Sequence, residues 1–310
     1  LSVVYLGTSD FAGAVLERLA ASEAHRPSLV VTRPDRPSGR GRRLSSPPVA
    51  EVAARLGLAL AQPQRVNDPE SVAEIAAAAV LDPQPPVLVV CAFGALIAEP
   101  LLSAQPILNV HPSLLPRWRG AAPVERAIMA GDEQTGVSIM RLTAGLDEGP
   151  VCLAGSEPIA PDDTYGTLSA RLQELGGTLL LRALEESPPF VEQSGEASYA
   201  EKIGPEDRRL DPSRPAVELE RIVRALQPHI GARLTLAGGQ PLGVSAAVVE
   251  RDIAEDGEPP GPGELAARDG RLLLGCSPGV LELSEVQPPG GRSMAAADYL
   301  RGRGLPRLES

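Results

Sequence analysis

Aromatic side chains make up only 3% of this 310-residue chain, so its core must be built from Ala, Val, Leu and Ile rather than from rings. Cysteine is scarce too: Cys91, Cys152 and Cys276 lie far apart, two of them inside apolar runs. That spacing favours buried free thiols over a disulfide framework or a metal site. Lysine is nearly absent, since Lys202 is the only one and arginine carries the basic charge. Positive charge as a whole is in deficit, with a net charge of −11. That balance argues against general affinity for nucleic acid. It does not exclude a local basic patch, because a charge is felt over a Debye length of about 8–10 Å. No apolar stretch approaches the roughly 20 uncharged residues of a membrane span. The chain enters a strand-like run directly, without a basic leader, so a cytoplasmic protein is expected.

What is present is a regular alternation of apolar runs and helical periods, long enough for two domains. A strand over 2–6 leads through Gly7-Thr8-Ser9-Asp10 into a helix opened by a capping residue. Gly7 and Gly13 do not complete the Gly-x-Gly-x-x-Gly of a dinucleotide site, so that ligand is not expected. Strands follow at 29–32, 58–61, 87–92 and 137–142, and helices at 47–56, 69–81, 121–130 and 164–185. This order predicts a doubly wound, mostly parallel α/β sheet of Rossmann-like kind over 1–187. A proline-bearing connection over 188–206 comes next. A helix at 215–226 offers Val217, Ile222, Val223 and Leu226 as its apolar face. Short apolar runs at 233–236, 242–248, 272–275 and 280–286 then predict a smaller β-barrel of OB-like type over 207–310.

Three stretches carry possible chemistry. The run Asn-Val-His-Pro-Ser-Leu-Leu-Pro at 109–116 follows what reads as the end of a buried strand. Asn109 and His111, two residues apart, point the same way in a strand. The cluster Gly145-Leu146-Asp147-Glu148-Gly149 leaves the strand at 137–142 into a glycine-flanked turn, so Asn, His and Asp on adjacent strand ends would form one site. The third stretch, 33–44, is rich in arginine in an acidic chain and reads as an irregular loop, mobile when unbound. Arginine makes planar, paired contacts with phosphates, so a polyanionic substrate is expected there.

These residues resemble a known family. Asn-Val-His-Pro-Ser-Leu-Leu-Pro, then Arg-Gly-Ala-Ala-Pro at 119–123, Thr-Gly-Val-Ser-Ile-Met at 135–140 and Gly-Leu-Asp-x-Gly at 145–149 are similar to the folate-dependent formyltransferases. The likeness continues at Ser198-Tyr-Ala-Glu-Lys-Ile203 and at Gln287-Pro-Pro-Gly-Gly-Arg292, where Gly291 and Arg292 stand in place of two usual lysines. The resemblance implies transfer of a formyl group from 10-formyltetrahydrofolate to the amino group of methionine on initiator transfer RNA. It implies Asn109, His111 and Asp147 as catalytic residues and Ser113, Leu114, Leu115 and Pro116 as the folate-contacting loop. It makes the segment holding Arg36, Arg40, Arg42 and Arg43 an insertion that contacts the acceptor stem. Folate serves as co-substrate, no metal is predicted, and a monomer is expected.

The residue types suit that reaction. Attack of an amine on a formyl carbon puts negative charge on the formyl oxygen, and Asn109 and His111 can both donate to it. Asp147, directly or through a water, can carry the proton between the incoming and leaving nitrogens. Other formyltransferases, acting on glycinamide ribonucleotide or an amino-sugar nucleotide, share this trio. The arginine loop and the second domain argue against both. A non-catalytic RNA-binding protein with a relic α/β domain would not need the trio intact.

Overall fold

A computed structural model describes residues 2–38, 43–79, 86–251 and 258–309. The chain divides into two compact units. The first takes residues 1–123, 134–158 and 169–200, and the second 124–133, 159–168 and 201–310. Residues 188–200, within the stretch that reads as a connection, thus pack in the first unit. No described helix is long and apolar enough to cross a membrane.

In chain order the first unit holds β1 (Val3–Gly7), α1 (Asp10–Ala20), β2 (Leu29–Val31), β3 (Arg36–Ser38), β4 (Arg43–Ser45), α2 (Pro48–Leu56) and β5 (Leu60–Ala61). It continues with α3 (Pro69–Ala79), β6 (Val87–Cys91), α4 (Leu101–Ala104), β7 (Ile107–His111) and β8 (Arg119–Gly120). α5 (Pro123–Ala130) belongs past its first residue to the second unit, and the first resumes with β9 (Gln134–Arg141), β10 (Val151–Pro158), most of α6 (Tyr165–Glu186) and β11 (Tyr199–Ala200). Seven strands form one sheet in the order β10-β9-β7-β6-β1-β2-β5. From β7 to β5 the neighbours are parallel, and β9 and β10 continue the sheet antiparallel.

Sequence explains these strands. β1 and β6 are continuous apolar runs, as strands covered on both faces require. Alternate residues Val4, Leu6, Leu88, Val90 and Ile107 face one layer, where Ile75 and Leu101 are packed. The hydroxyl of Ser9 accepts the Ala12 N–H at 3.3 Å and opens α1. Thr8 Oγ1 donates to the Phe93 carbonyl at 2.7 Å, which ties the turn after β1 to the turn after β6.

Two features depart from the sequence pattern. β10 has no counterpart in it: this strand lies at the sheet edge, and after the short apolar stretch from Val151 to Ala154 it continues as Gly-Ser-Glu-Pro with exposed and half-buried residues alternating. The segment over 33–44 is not wholly irregular, because β3 and β4 pair antiparallel with Pro37 opposite Leu44. Its arginines and prolines mask a ladder too short to need an apolar face.

The second unit adds α7 (Ala216–Ala225), β12 (Ala232–Leu236), β13 (Gln240–Glu250), β14 (Leu265–Arg268), β15 (Arg271–Gly275), β16 (Val280–Gln287), β17 (Met294–Ala295) and α8 (Ala296–Arg303). Its strands are antiparallel, in the order β12-β13-β16-β15-β14 with β17 on β16. Register shifts near Ala246 mark bulges, which bend a long strand. Leu219, Ile222, Val223 and Leu226 bury one stripe of α7 and its C-cap among Leu234, Leu242, Leu272, Leu274, Leu281 and Leu283. Val217, expected in that stripe, is instead 42% exposed. The stripe runs i, i+3, i+4, i+7 from Leu219, and a residue two positions earlier falls on the far side.

Candidate active site

β7 carries Asn109 and His111 on one face, and both are buried, at 8% and 4% exposure. β9 runs antiparallel beside it, with Asn109 opposite Met140 and His111 opposite Ser138. Asp147 therefore does not sit at a matching strand end, as the spacing of the motifs predicts. β9 leaves the sheet beside Ile107, whose carbonyl accepts the Leu142 N–H at 2.9 Å, and the turn at 143–149 folds back. Gly149 permits that return, because a Cβ there would lie 1.9 Å from the Arg141 carbonyl oxygen.

The return brings the three polar groups together. Asn109 Nδ2 donates to Asp147 Oδ1 at 3.3 Å, and the Gly120 N–H donates to Oδ2 at 2.8 Å. His111 Nδ1 lies 3.7 Å from the same Oδ2. On its other side, Nε2 stands 2.8 Å from the Trp118 carbonyl oxygen. A carbonyl only accepts, so Nε2 carries the hydrogen and Nδ1 is the nitrogen that faces Asp147. Gly120 reaches Asp147 with φ at 117°, and a Cβ there would lie 2.8 Å from the Ala200 carbonyl oxygen. β8 and β11 pair at that point, a contact the sequence does not signal.

The loop after β7 is braced from within. Ser113 is fully buried and its Oγ donates to the Arg117 carbonyl at 2.6 Å. Ser138 Oγ donates to the Ser113 carbonyl at 2.8 Å and accepts the Leu115 N–H at 3.2 Å. The Ser113 hydroxyl thus shapes the loop, while Leu114, Leu115 and Pro116 are half-buried. Sequence reasoning also misses Arg119 and Gln193, which hold the turn at 143–149 through side-chain contacts.

Of the arginines singled out in the sequence, Arg36 stands exposed on β3 and Arg43 lies on β4, whereas Arg40 and Arg42 fall outside the described residues. A cavity of about 250 Å³ opens beside this hairpin and is lined by Arg33, Arg65, Asn67, Phe93 and Leu96, among others. The thiols are free. Burial pushes Cys91 up to about 12 and Cys276 up to about 11, so neither is a nucleophile at neutral pH.

The sheet thus presents an amide, an imidazole and a carboxylate at one point, a set able to donate to a carbonyl oxygen and to carry a proton. Residues 1–184 match the family model described as formyl transferase, and residues 202–304 match the formyl transferase C-terminal domain. The chain belongs to the formyltransferase family. It is 43% identical to a methionyl-tRNA formyltransferase of Halorhodospira halophila, over 98% of this chain and 96% of the relative. Among solved structures it resembles a methionyl-tRNA formyltransferase from Clostridium thermocellum, with TM-score 0.59 and 15% identity over 81% of this chain and 94% of that one. It also resembles HypX from Aquifex aeolicus in complex with tetrahydrofolic acid, with TM-score 0.62 and 18% identity over 96% of this chain. This chain spans about half the length of HypX, 46% of it being covered.

Proposed function

We propose that this chain transfers the formyl group of 10-formyltetrahydrofolate to the α-amino group of methionine esterified to initiator transfer RNA, for translation initiation. The observation that carries this reading is the closure of Asn109 and Gly120 on the Asp147 carboxylate, with His111 beside it, in a chain matched along its length by relatives named for this reaction.

The geometry supports a role for each group. Asn109 has a second N–H beyond the one given to Asp147, and this donates to the formyl oxygen as charge develops there. His111, oriented through Nε2 by the Trp118 carbonyl and with Nδ1 facing Asp147, is the second polar group at the reacting centre. Asp147 takes the proton lost by the attacking amine, directly or through a water, and passes it to the nitrogen from which the formyl group departs. One C–N bond forms as another breaks, and the proton count is conserved.

Folate is a co-substrate, and the surroundings offer apolar side chains for the faces of its pterin ring and backbone groups for its polar edge. Leu96 and Leu146, beyond the ends of β6 and β9, stay 78% and 59% exposed, so apolar surface is left for a ring to cover. The half-buried 114–116 loop supplies backbone beside the trio, and Ser113 sets its shape. Arg36, Arg40, Arg42 and Arg43 serve the transfer RNA, whose phosphates they pair with. A monomer working in the cytoplasm completes the reading.

The test is formyl transfer from 10-formyltetrahydrofolate to methionyl initiator transfer RNA, beside free methionine and an amino-sugar nucleotide. Activity on the charged RNA alone is expected. Transfer to the sugar alone would keep the trio and overturn the substrate, and no transfer to any acceptor would overturn the reaction.

A further inference from the structure

Asp147 is held from behind as well as from its carboxylate. Its φ of 49° lies in the left-handed region, which an aspartate tolerates but does not favour unaided. The peptide carbonyls of Asp147 and Gly149 both turn toward Gln193, whose Nε2 donates to each at 2.8 Å. At the other end of the same amide, Oε1 accepts from Arg119 Nε at 3.1 Å and Nη2 at 2.8 Å. A guanidinium only donates and peptide carbonyls only accept, so the Gln193 amide has a single orientation. Arg119 Nη1 also lies 3.4 Å from Glu148 Oε1, which closes the ring of contacts at the residue next to Asp147. The backbone ladder between Val151 and Val191, with 2.9 Å in each direction, brings the segment bearing Gln193 alongside the start of β10.

We propose that Gln193 is a positioning residue for formyl transfer: it brackets the Asp147 and Gly149 carbonyls and so aims the Asp147 carboxylate at Asn109, His111 and Gly120. The proposal rests on the reaction proposed above. Gln193 acts through the backbone of Asp147 and not on the reacting atoms. Without its amide, two carbonyls lose their donor, and only the carboxylate contacts with Asn109 and Gly120 are left to oppose relaxation of Asp147 to negative φ. The carboxylate would then swing away from the Gly120 N–H. Strain held in this way at a catalytic group is sustained only where the surroundings over-determine it.

Two variants separate the bracket from packing. Gln193→Leu keeps the volume and removes every polar contact. Gln193→Glu keeps the partner for Arg119 but sets an oxygen against the two carbonyls. Val191→Ala, in the same segment, serves as a control with unchanged turnover. For both Gln193 variants kcat should fall about 10- to 100-fold, the cost of a small misplacement of a reacting group, with KM for RNA and for folate nearly unchanged. A second readout needs no reaction: exchange of the Gly120 amide hydrogen, held by Asp147 Oδ2, should quicken about tenfold or more in Gln193→Leu. Wild-type kcat with wild-type Gly120 exchange would overturn the proposal. So would a loss of kcat that disappears fully below a lowered melting temperature, since that marks folding alone. If the unaltered chain transferred formyl to no acceptor while Gly120 exchange still responded to Gln193, the reaction would fall and the bracket would stand.

Discussion

In the turn at 143–149, Asp147 has both carboxylate oxygens engaged and its own carbonyl held by Gln193. The arginine hairpin at 36–45 is anchored at its base, where Asp35 accepts from Ser46 and from Gln62, while Leu44 stays 71% exposed. Both stretches read in the sequence as charged, glycine-bearing loops. Their construction differs, as the tasks proposed for them do. A group that must meet one developing charge gains from being fixed beforehand, since no reorganisation is then needed at the moment of reaction. Cations that attract a polyanion act through counterion release, which depends on how many phosphates are neutralised rather than on one fixed geometry.

The largest effects should come from the fixed side of this comparison. Asp147→Asn should lower turnover by about 100- to 10,000-fold. Asn109→Ala should cost about 100- to 1000-fold, the usual loss of one oxyanion donor. RNA affinity measured by titration should stay near that of the unaltered chain in both. Wild-type turnover in either would remove that residue from the chemistry.

Replacing Arg36, Arg40, Arg42 and Arg43 together by alanine should do the reverse. The plot of log affinity against log salt should become shallower by about 3, with turnover at saturating RNA retained. An unchanged slope would make the hairpin a bystander. A loss of saturated turnover as large as that of Asp147→Asn would break the comparison altogether.

Gly120→Ala tests how far the fixed site depends on one backbone position. A methyl group at φ 117° would meet the Ala200 carbonyl at 2.8 Å, so the strand pair must shift and the Asp147 contact with it. Destabilisation of about 1–3 kcal/mol is expected in a denaturant melt, together with reduced turnover. An unperturbed melt would show that this approach is not strained.

The smallest effect concerns fixation without chemistry. In the second unit Arg126 holds Asp207 at both oxygens, at 2.7 and 3.0 Å. Hydrogen bonds from that guanidinium, and from the Gly204 N–H, hold the Asp207 carboxyl below its ordinary value. A carboxyl lowered on folding contributes stability that is present above the unfolded value of about 3.9 and is lost as pH falls through the folded one. Asp207→Asn should therefore cost about 1 kcal/mol near neutral pH, as a partly solvated pair does, and converge with the unaltered chain in acid. Melts at the two pH values check this, and kcat should not change. A fall in kcat would mean that fixation and chemistry are not separable in the way the comparison holds.

Much of the site is legible in the amino-acid sequence. The two-residue spacing of Asn109 and His111 puts them on one face of a strand, and the apolar run before them makes that strand internal. The apolar runs of β1 and β6 and the stripe of α7 likewise follow from local pattern. β10 is not legible, because its apolar stretch ends after four residues and the Gly-Ser-Glu-Pro that completes this edge strand reads as a turn. Nor is the hairpin at 36–45, where arginine and proline outweigh strand propensity.

Sequence by itself thus determined the order of the buried strands and main helices, the chemical types at the site and the placement of two of its three groups. Tertiary structure alone decided that Asp147 returns over β7 from an antiparallel neighbour, that Gly120 and Gln193 hold it, and that Arg119 orients Gln193. Those contacts join residues 27, 46 and 74 positions apart. Local propensity acts over a few neighbours along the chain, and a hydrogen bond made across the fold leaves no period in the sequence to reveal it.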